Sequence, residues 1–264
     1  MKGLTLSKNF MKKRLSILSI AVLVLLVFAG ISYGSLLDVI PESSMVVIES
    51  SNIANVVDII YSDQFSTITG GSVDITKQRE EVKEVLGFDA LDPEFLKKLF
   101  ENGVIISLTG FSESIIPEIL IVFSPKNKMS FLKFVKAVEE KTGIKEEVST
   151  YKGINIIRLS IPELPNNEGI KEIAWSMIGK NIVFGSSVVS IKEAIEVFKG
   201  EKASISKNAN YSSLKDKVLK KLGSSPFFAY IATDKFVSLF EKLKLKLPEE
   251  ERGALDSAIV NFKT

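Results

Sequence analysis

The sequence predicts an α+β fold in which a mostly antiparallel sheet of hairpins packs against helices, preceded by one N-terminal transmembrane helix. The first observation is a pair of hairpin patterns, one turning at Lys152-Gly153 and the other at Gly179-Lys180-Asn181. The second is that helical patterns alternate with these hairpins without the regular spacing of parallel βαβ units. The third is a charge-free run of 23 residues, Leu15–Leu37, ahead of the body.

Residues 1–14 form a basic tail before this apolar run. The tail carries four Lys and one Arg without an acidic residue; the whole chain has a net charge of +2, so the remainder is near −3. A helix over Leu15–Leu37 is about 34 Å long, enough to cross a hydrocarbon core of about 30 Å. The positive flank predicts a cytoplasmic N-terminus and an extracytoplasmic domain over residues 38–264.

A cleaved signal peptide is the alternative to this anchor. Ser32-Tyr33-Gly34 places small residues at the two positions that a signal peptidase inspects, which would allow cleavage before Ser35 and release of a soluble protein. Against cleavage, the most apolar stretch already fills the upper end of the signal-peptide range, and the apolar character continues past the site. The chain has no Cys for a lipoprotein anchor. We therefore expect a single-pass anchor in the cell membrane.

The body begins with a strand and a helix. A Pro-initiated turn precedes the strand Met45–Glu49, and a helix starts near Ser51 with apolar residues at helical spacing. The polar, Gly-rich stretch Ser66–Thr76 is predicted to be a loop. A charged helix over 77–88 follows, and Asp92-Pro93 combines an N-cap with Pro at the first position of the next helix.

Apolar strands and further helices follow toward the C-terminus. The predicted strands are Val104–Leu108, Ile119–Phe123, the two hairpins over 146–161 and 173–186, and 226–232. The predicted helices are Lys128–Lys141, Ile191–Lys199, Tyr211–Leu222 with Asn210 as its cap, and 234–245. The apolar segment 257–262 reads as the opening of another strand, so either a short edge strand ends the fold or the sequence is truncated. No convincing linker divides the body; the best candidate, Ile161–Gly169, is short.

The segment from Asn181 to Phe198 reads as a strand, a Gly-Ser-Ser turn and a helix, a pattern that phosphate-binding loops share. A Walker-type loop needs a second Gly followed by Lys, and a dinucleotide fingerprint needs three Gly at fixed spacing; both are missing. Ser190 and Glu193 instead match a capping box, in which a hydroxyl and a carboxylate satisfy the free amides of a helix start. An apolar packing stripe follows: Ile191, Ala194, Ile195 and Phe198. We therefore interpret this segment as a structural corner without a cofactor site.

The chain contains neither Cys nor His. Their absence excludes disulfides, thiol chemistry, Cys/His zinc sites and the Ser-His-Asp and Cys-His arrangements that activate nucleophiles. The mildly acidic body has no general electrostatic attraction to nucleic acid. Most of the 34 basic residues are Lys, and this excess, with plentiful Glu and Ile, points toward a thermophile.

No residue is predicted to be catalytic, cofactor-binding or metal-ligating. The acidic clusters Glu80-Glu81-Glu84 and Glu249-Glu250-Glu251 lie beside Lys or Arg and lack the spacing of a Ca²⁺ loop, so we interpret them as solvated faces. Trp175 is interpreted as packing in the core or on a sheet face rather than as a ligand platform. Tyr151 and Lys152 at a hairpin tip offer a contact for a partner, but turn chemistry explains them adequately.

Several motifs carry a resemblance to a known family. They are the stretches TYKGINIIRLSI and IAWSMIGKNIVFGSSVVSIKEAIEVF, the following SISKN segment, and the Pro-containing first strand VIPESSMVVIES. With the N-terminal apolar segment, they make the chain similar to an uncharacterised bacterial family, the domain-of-unknown-function family DUF3352. The likeness covers roughly residues 36–245, and its motifs are mostly structural. It implies an extracytoplasmic α+β domain, and since the family has no established activity or catalytic motif, it implies no functional residues.

Two classes of function stay open from the sequence. The first, which we expect, is a non-enzymatic envelope protein whose domain binds a protein or lipid partner or supports assembly at the outer face of the membrane. The second is a carboxylate-dependent hydrolase or transferase acting on envelope material, which needs two acids brought together in a partly apolar cleft with one pKa raised. The acids fall on polar helix faces and the predicted buried positions are apolar, so the sequence favours the first class.

Overall fold

The structure is a computed structural model, and the description rests on part of the chain. The described residues are 34–50, 53–62, 74–112, 116–142, 144, 146–160, 172–222, 227–246 and 260. The basic tail and residues 15–33 of the predicted membrane segment lie outside them, as does the candidate linker over 161–169.

The strands form an antiparallel sheet, as predicted. They are β1 (Val46–Ser50), β2 (Val104–Phe111), β3 (Pro117–Phe123), β4 (Glu146–Tyr151), β5 (Ile154–Ser160), β6 (Glu172–Ile178), β7 (Asn181–Gly185) and β8 (Phe227–Ile231). Six of them are paired in the order β2-β3-β7-β6-β5-β4, while β1 and β8 pair with each other as a ribbon. The Met45 amide donates to the Leu108 carbonyl at 2.7 Å, which joins the ribbon to β2. Every described strand pair is antiparallel.

Helices fill the β1–β2, β3–β4 and β7–β8 connections, and with the antiparallel sheet they make the fold α+β. They are α1 (Gly34–Leu37), α2 (Ile53–Ile60), α3 (Ile75–Leu86), α4 (Pro93–Leu99), α5 (Lys128–Thr142), α6 (Val188–Phe198), α7 (Ala209–Leu222) and α8 (Thr233–Lys246). A single 3₁₀ turn, Ile205–Lys207, precedes α7.

Strand residues alternate between two apolar cores, one on each side of the sheet. The core on the side of α6, the α6 face, contains Ile105, Leu120, Val183, Ile191 and Ile195. The core on the side of α5, the α5 face, contains Ile106, Ile121, Ile182, Phe131 and Val135. Helices therefore cover both faces, and the central strands are apolar on both sides, which is uncommon for an antiparallel sheet.

Both predicted hairpins are confirmed, and their turns explain the strand alignment. Lys152 and Gly153 have φ angles of 49° and 78°, which is the type I′ conformation that matches the twist of a two-residue hairpin. Gly179, with φ of 62°, opens the second turn between β6 and β7.

α1 brings the end of the apolar run into the body. Leu36 and Leu37 are only 2% and 6% exposed and belong to the core on the α6 face. The folded domain therefore includes the last residues of the predicted membrane segment, and its boundary with an anchor stays a prediction.

Several helix starts are confirmed or corrected by their caps. Asp92 accepts the Phe95 amide at 2.8 Å ahead of Pro93, as predicted. The predicted cap of α7, Asn210, is wrong, because Asn208 accepts the Tyr211 amide at 3.0 Å and the helix begins at Ala209. The shift arises because the preceding 3₁₀ turn places Asn208, and not Asn210, beside the free amides.

Other predicted helix and strand bounds move by a turn or less. The helix predicted from Lys77 begins at Ile75, because Asp74 caps it by accepting the Lys77 amide at 2.9 Å; residues 66–73 of the predicted loop lie outside the described residues. Val260 is helical, contrary to the strand predicted over 257–262; the rest of that segment lies outside the described residues. Phe198 was expected in the packing stripe of α6, but it is 42% exposed and lies over the Gly179 turn.

Candidate functional site

The Gly-Ser-Ser corner joins the end of β7 to the start of α6. Gly185 is buried, and a Cβ added to it would overlap Ser190 Oγ and lie 3.0 Å from the Ser187 carbonyl oxygen. Because packed interiors leave no room for such overlap, only Gly fits this position without movement of the corner. The Gly therefore serves the close approach of strand and helix.

Ser187 is the residue that caps α6. Its hydroxyl accepts the Ser190 amide at 3.1 Å, while its own amide donates to Ser190 Oγ at 3.4 Å, which completes a capping box. The predicted box of Ser190 and Glu193 is wrong, because α6 starts at Val188 and Ser190 is its third residue. Ser190 is buried and donates its hydroxyl to the Ser187 carbonyl at 2.8 Å.

Two glutamates from neighbouring strands complete the corner. Glu172 of β6 accepts the Val188 amide at 2.9 Å, and Glu118 of β3 accepts the Ser187 hydroxyl at 2.5 Å. The positive end of the α6 dipole therefore already has anions within the fold. A phosphate bound there would have to displace one carboxylate and meet repulsion from the other. This geometry supports the interpretation of the segment as a structural corner.

Arg158 links the corner to the outer strands of the sheet. Its Nε donates to Glu172 Oε2 at 2.6 Å and its Nη1 donates to Glu147 Oε2 at 2.9 Å. The hydrogen bond to Glu172, with the charges of both carboxylates, raises the pKa of Arg158 above its ordinary value. The result is a row of alternating charges across β4, β5 and β6 that ends at the start of α6.

A second polar cluster, which sequence analysis missed, lies under α7. Glu49 of β1 is fully buried, and Lys215 of α7 donates to its two carboxylate oxygens at 3.1 and 2.8 Å. The Tyr211 hydroxyl donates to the same carboxylate. Burial, together with Glu49, raises the pKa of Tyr211 far above its ordinary value. A signal was present, since Glu49 shares a strand face with Val47 and Tyr211 precedes Lys215 by one helical turn.

In the Glu49 cluster, meaning Glu49, Tyr211 and Lys215, the negative charge of Glu49 is neutralised by the positive charge of Lys215. The Lys215 ammonium also lies 5.5 Å from the Tyr211 ring centroid and 5.9 Å from that of Phe228, close enough for cation–π attraction. Both oxygens of the single acid accept from protein donors. The cluster therefore fixes α7 on the sheet and contains no second acid for general acid–base chemistry.

The hairpin tip between β4 and β5 contacts the end of α6. The Tyr151 hydroxyl donates to Glu196 Oε1 at 2.7 Å, and Lys152 pairs with Glu201. Hydrogen bonds from Tyr151 and Lys202 lower the pKa of Glu196. The two tip residues singled out in the sequence thus have partners within the chain, and turn chemistry is only part of their explanation.

One pair of acids does come into contact, at the end of α5. Burial, a hydrogen bond to Glu146 and the charges of Glu146 and Glu140 raise the pKa of Glu139 to about 7. Glu139 and Glu146 touch directly, unlike the carboxyl groups of glycosidases, which stand about 5 Å or more apart so that a substrate fits between them.

The remaining candidates occupy structural positions. Trp175 is 4% exposed and packs edge-to-face on Phe131, with ring centroids 5.5 Å apart, which confirms its assignment to the core. Glu80 and Glu84 are exposed on α3, as predicted, whereas the cluster over 249–251 lies outside the described residues. Within the described ranges, no group of three or more acidic side chains is placed to hold a metal ion.

Comparisons with known proteins identify a family. The family described as protein of unknown function (DUF3352) matches residues 102–261, a span that runs from the start of β2 past α8. No curated protein and no solved structure matches the chain. Of the helices that the structure describes, none is both long enough and apolar enough to cross a membrane. Since the match covers more than half of the sequence and bears out the resemblance seen in its motifs, the chain belongs to the DUF3352 family of proteins of unknown function.

Proposed function

We propose that the chain is a membrane-anchored extracytoplasmic protein whose domain binds a partner in the cell envelope and catalyses no reaction. The proposed anchor lies within the charge-free run over residues 15–37, ahead of Leu36 and Leu37, which the domain core buries, and the basic tail is in the cytoplasm. The partner is a protein or a lipid. Neither a cofactor nor a nucleic acid is part of the proposal.

One observation supports the non-enzymatic proposal: the carboxylates best placed to act as catalytic groups are hydrogen-bonded to other residues of the same domain. The carboxylates at the start of α6, Glu118 and Glu172, accept from backbone and hydroxyl donors of the corner. Glu49, the buried acid, is held by Lys215 and Tyr211. Carboxylates whose hydrogen bonds are made within the fold are poorly available to a substrate. We therefore propose that the domain contacts its partner through its surface rather than through a catalytic pocket.

The topology is tested by fractionating cells that express the full chain. We expect the protein to stay in the membrane pellet after an alkaline carbonate wash, and its domain to be cut by protease added outside the cytoplasmic membrane. A soluble species whose N-terminus is Ser35 would instead establish a cleaved signal peptide, and a protease-resistant domain would reverse the orientation.

The carboxylate-dependent hydrolase or transferase is the second candidate, and the raised pKa of Glu139 is the observation that favours it. Purified full chain would be assayed on isolated envelope glycans, with Glu139→Gln as the test variant and Glu140→Gln on the same helix as its control. Turnover by the wild type that Glu139→Gln abolishes and Glu140→Gln retains would overturn the non-enzymatic proposal.

A further inference from the structure

The turn between β6 and β7 is held between two helix ends at one end of the sheet. The Gly179 carbonyl accepts a hydrogen bond at 3.1 Å from Lys128 Nζ, at the start of α5. From the side of α6, the Phe198 ring lies 3.3 Å from the place that a Cβ of Gly179 would take. The Lys180 carbonyl accepts the Ser124 hydroxyl at 3.2 Å. The turn and these two helix ends therefore form one continuous surface, which we call the β6–β7 tip.

Three large apolar side chains of the β6–β7 tip are exposed. Met129, in the first turn of α5, is 61% exposed, and Met177, near the end of β6, is 41% exposed. Phe198, at the end of α6, is the third. Exposed apolar side chains grouped at one place mark a contact surface, whereas single ones are ordinary. Methionine is also flexible and polarisable, so it adapts to a partner without a fixed shape.

Lysines accompany these apolar side chains. Three of them are adjacent to an apolar residue of the tip or lie in the turn itself: Lys128, Lys180 and Lys199. Across the residues that the structure describes, no carboxylate forms an ion pair with any of the three. The acids of neighbouring segments are already paired, Glu101 with Lys126 and Glu201 with Lys152. The tip therefore has an excess of positive charge, which favours an anionic partner.

The chain enters the domain beside this tip. The Ile205 amide donates to the Ile40 carbonyl and the Glu42 amide donates to the Ala203 carbonyl, both at 2.9 Å. Ala203 follows Lys199 by four residues, a span of at most about 14 Å. Ile40 in turn follows the end of the charge-free run by three residues. A bilayer that holds the proposed anchor is therefore within reach of the tip.

We propose that the β6–β7 tip rests on the anionic surface of the bilayer, with its three apolar side chains among the lipid headgroups and its three lysines beside the phosphates. The inference deepens the proposed binding function, on which it rests, by choosing lipid as the partner. Lysine suits this position because its aliphatic stem covers apolar surface while its ammonium stays among polar groups. A protein partner fits less well, since Lys is depleted in protein–protein interfaces. Anionic lipid attracts each lysine, so the contact depends on lipid charge.

The natural chain has no Cys, so a label on one introduced Cys reports a single position. Full-length Met129→Cys would carry an environment-sensitive nitrobenzoxadiazole label and be reconstituted into vesicles of phosphatidylcholine, with or without phosphatidylglycerol. We expect a blue-shifted label that spin-labelled lipid quenches when phosphatidylglycerol is present. Val189→Cys is the matched control, because Val189 is also exposed and apolar but lies at the start of α6, about 13 Å along the helix from Phe198. Equal quenching at both positions, or none at position 129, would overturn the proposal.

A charge variant tests the role of the lysines. In the labelled Met129→Cys background, Lys180→Gln/Lys199→Gln should lower quenching by about threefold or more at unchanged circular dichroism. Lys77→Gln/Lys217→Gln removes the same charge from exposed positions on α3 and α7 and should leave quenching unchanged. Equal effects of the two double variants would contradict a lipid contact at the tip. A blue shift seen in native membranes but missing from purified lipid would assign the tip to a protein partner and overturn the choice of lipid.

Flotation of the same vesicles separates failure of the tip from failure of the anchor. A chain that floats with phosphatidylcholine alone, yet has an unquenched label in anionic vesicles, refutes the tip and leaves the anchor. A chain that floats only with anionic vesicles, and no longer does so as Lys180→Gln/Lys199→Gln, refutes the anchor and supports the tip. A chain that floats with neither kind of vesicle refutes both.

Discussion

The Glu49 carboxylate is fully buried; the Lys215 ammonium neutralises its charge, and the Tyr211 hydroxyl donates a hydrogen bond to it. Desolvation of two such charges costs about as much as their attraction returns, so the pair as a whole adds little net stability. Removal of one member is a different matter, since it leaves the other charge buried without compensation. The Glu49 cluster therefore acts as a constraint on how α7 sits on β1.

Substitution of Lys215 by Met tests this constraint. We expect Lys215→Met to lower the free energy of unfolding by about 3 kcal/mol, because Glu49 then lacks its counter-charge. The double variant Glu49→Gln/Lys215→Met should recover part of the loss. Lys217→Met, exposed on the same helix, is the control and should change stability by less than about 0.5 kcal/mol. Urea denaturation measures all three; equal effects of the two Lys substitutions would contradict the constraint.

The Glu49 cluster also marks where residue-level prediction fails. The strand containing Glu49 and the helix containing Lys215 were both predicted, but nothing in one sequence says that positions 166 residues apart meet. Apolar periodicity assigns a face to each element and cannot assign a partner. Trp175, whose partners are ordinary apolar neighbours, was predicted correctly for the same reason, since core packing requires no particular pairing.

Among the elements, α6 shows how distant side chains decide where a helix begins. Ser187 and Ser190 both fit a cap by sequence, and local rules favoured Ser190 because Glu193 follows three residues later. The strands resolve the choice: Glu172 bonds the Val188 amide and Glu118 bonds the Ser187 hydroxyl. Ile191, Ala194 and Ile195 stay buried as predicted, since a change of start does not rotate the helix.

The tight contact between β7 and α6 gives a prediction at this scale. Gly185→Ala should lower the free energy of unfolding by about 1–3 kcal/mol, because the new methyl group overlaps Ser190 Oγ and the corner must open. Gly110→Ala in β2 is the control, since a Cβ there has no neighbour within 4 Å. Chemical denaturation of both variants provides the comparison. A Gly185→Ala variant as stable as Gly110→Ala would show that the corner has room.

For the whole molecule, the burial of Glu139 beside Glu146 makes stability depend on pH. The pKa of Glu139 is about 7 in the folded state against 4.5 as its ordinary value, so the folded state keeps the proton longer. Below pH 4.5 both states are protonated and no penalty exists. Between pH 4.5 and 7 the unfolded chain releases its proton first, so the free energy of unfolding falls as pH rises, and above 7 the penalty is complete.

Glu139→Gln should abolish this loss. We expect the variant to match the wild type near pH 4.5 and to exceed it by about 1 kcal/mol above pH 7, a figure reduced for solvent screening of a partly exposed pair. Thermal unfolding across pH 4–9 measures the difference, and Glu80→Gln, which removes an exposed carboxylate on α3, serves as the control. A constant offset at every pH would mean that the carboxyl group of Glu139 does not titrate in this window.

The architecture as a whole was more accessible from sequence than its polar contacts. The α+β class, both hairpins and most helices followed from periodicity and turn residues such as Lys152-Gly153. The order of the strands and the pairing of β1 with β8 could not be predicted. Alternation along a strand shows which side chains face the core, but it does not show which strand lies beside it. The helical state at Val260 was missed since a short apolar run fits either conformation.

The burial of both sheet faces has a consequence for how the chain folds. When one face meets water, a strand that docks one residue out of step exposes its apolar side chains and is rejected. Here a misdocked central strand such as β3 or β7 still buries apolar groups on either side, so hydrophobic collapse alone discriminates poorly against wrong partners. Correct strand pairing is therefore selected by local features. These are the left-handed turn at Lys152-Gly153, the close contact at Gly185, and the Glu49 carboxylate, which is stable only beside Lys215 and Tyr211. We therefore expect the slow steps of folding to be the correction of mispaired strands, governed by these few positions rather than by the bulk of the core.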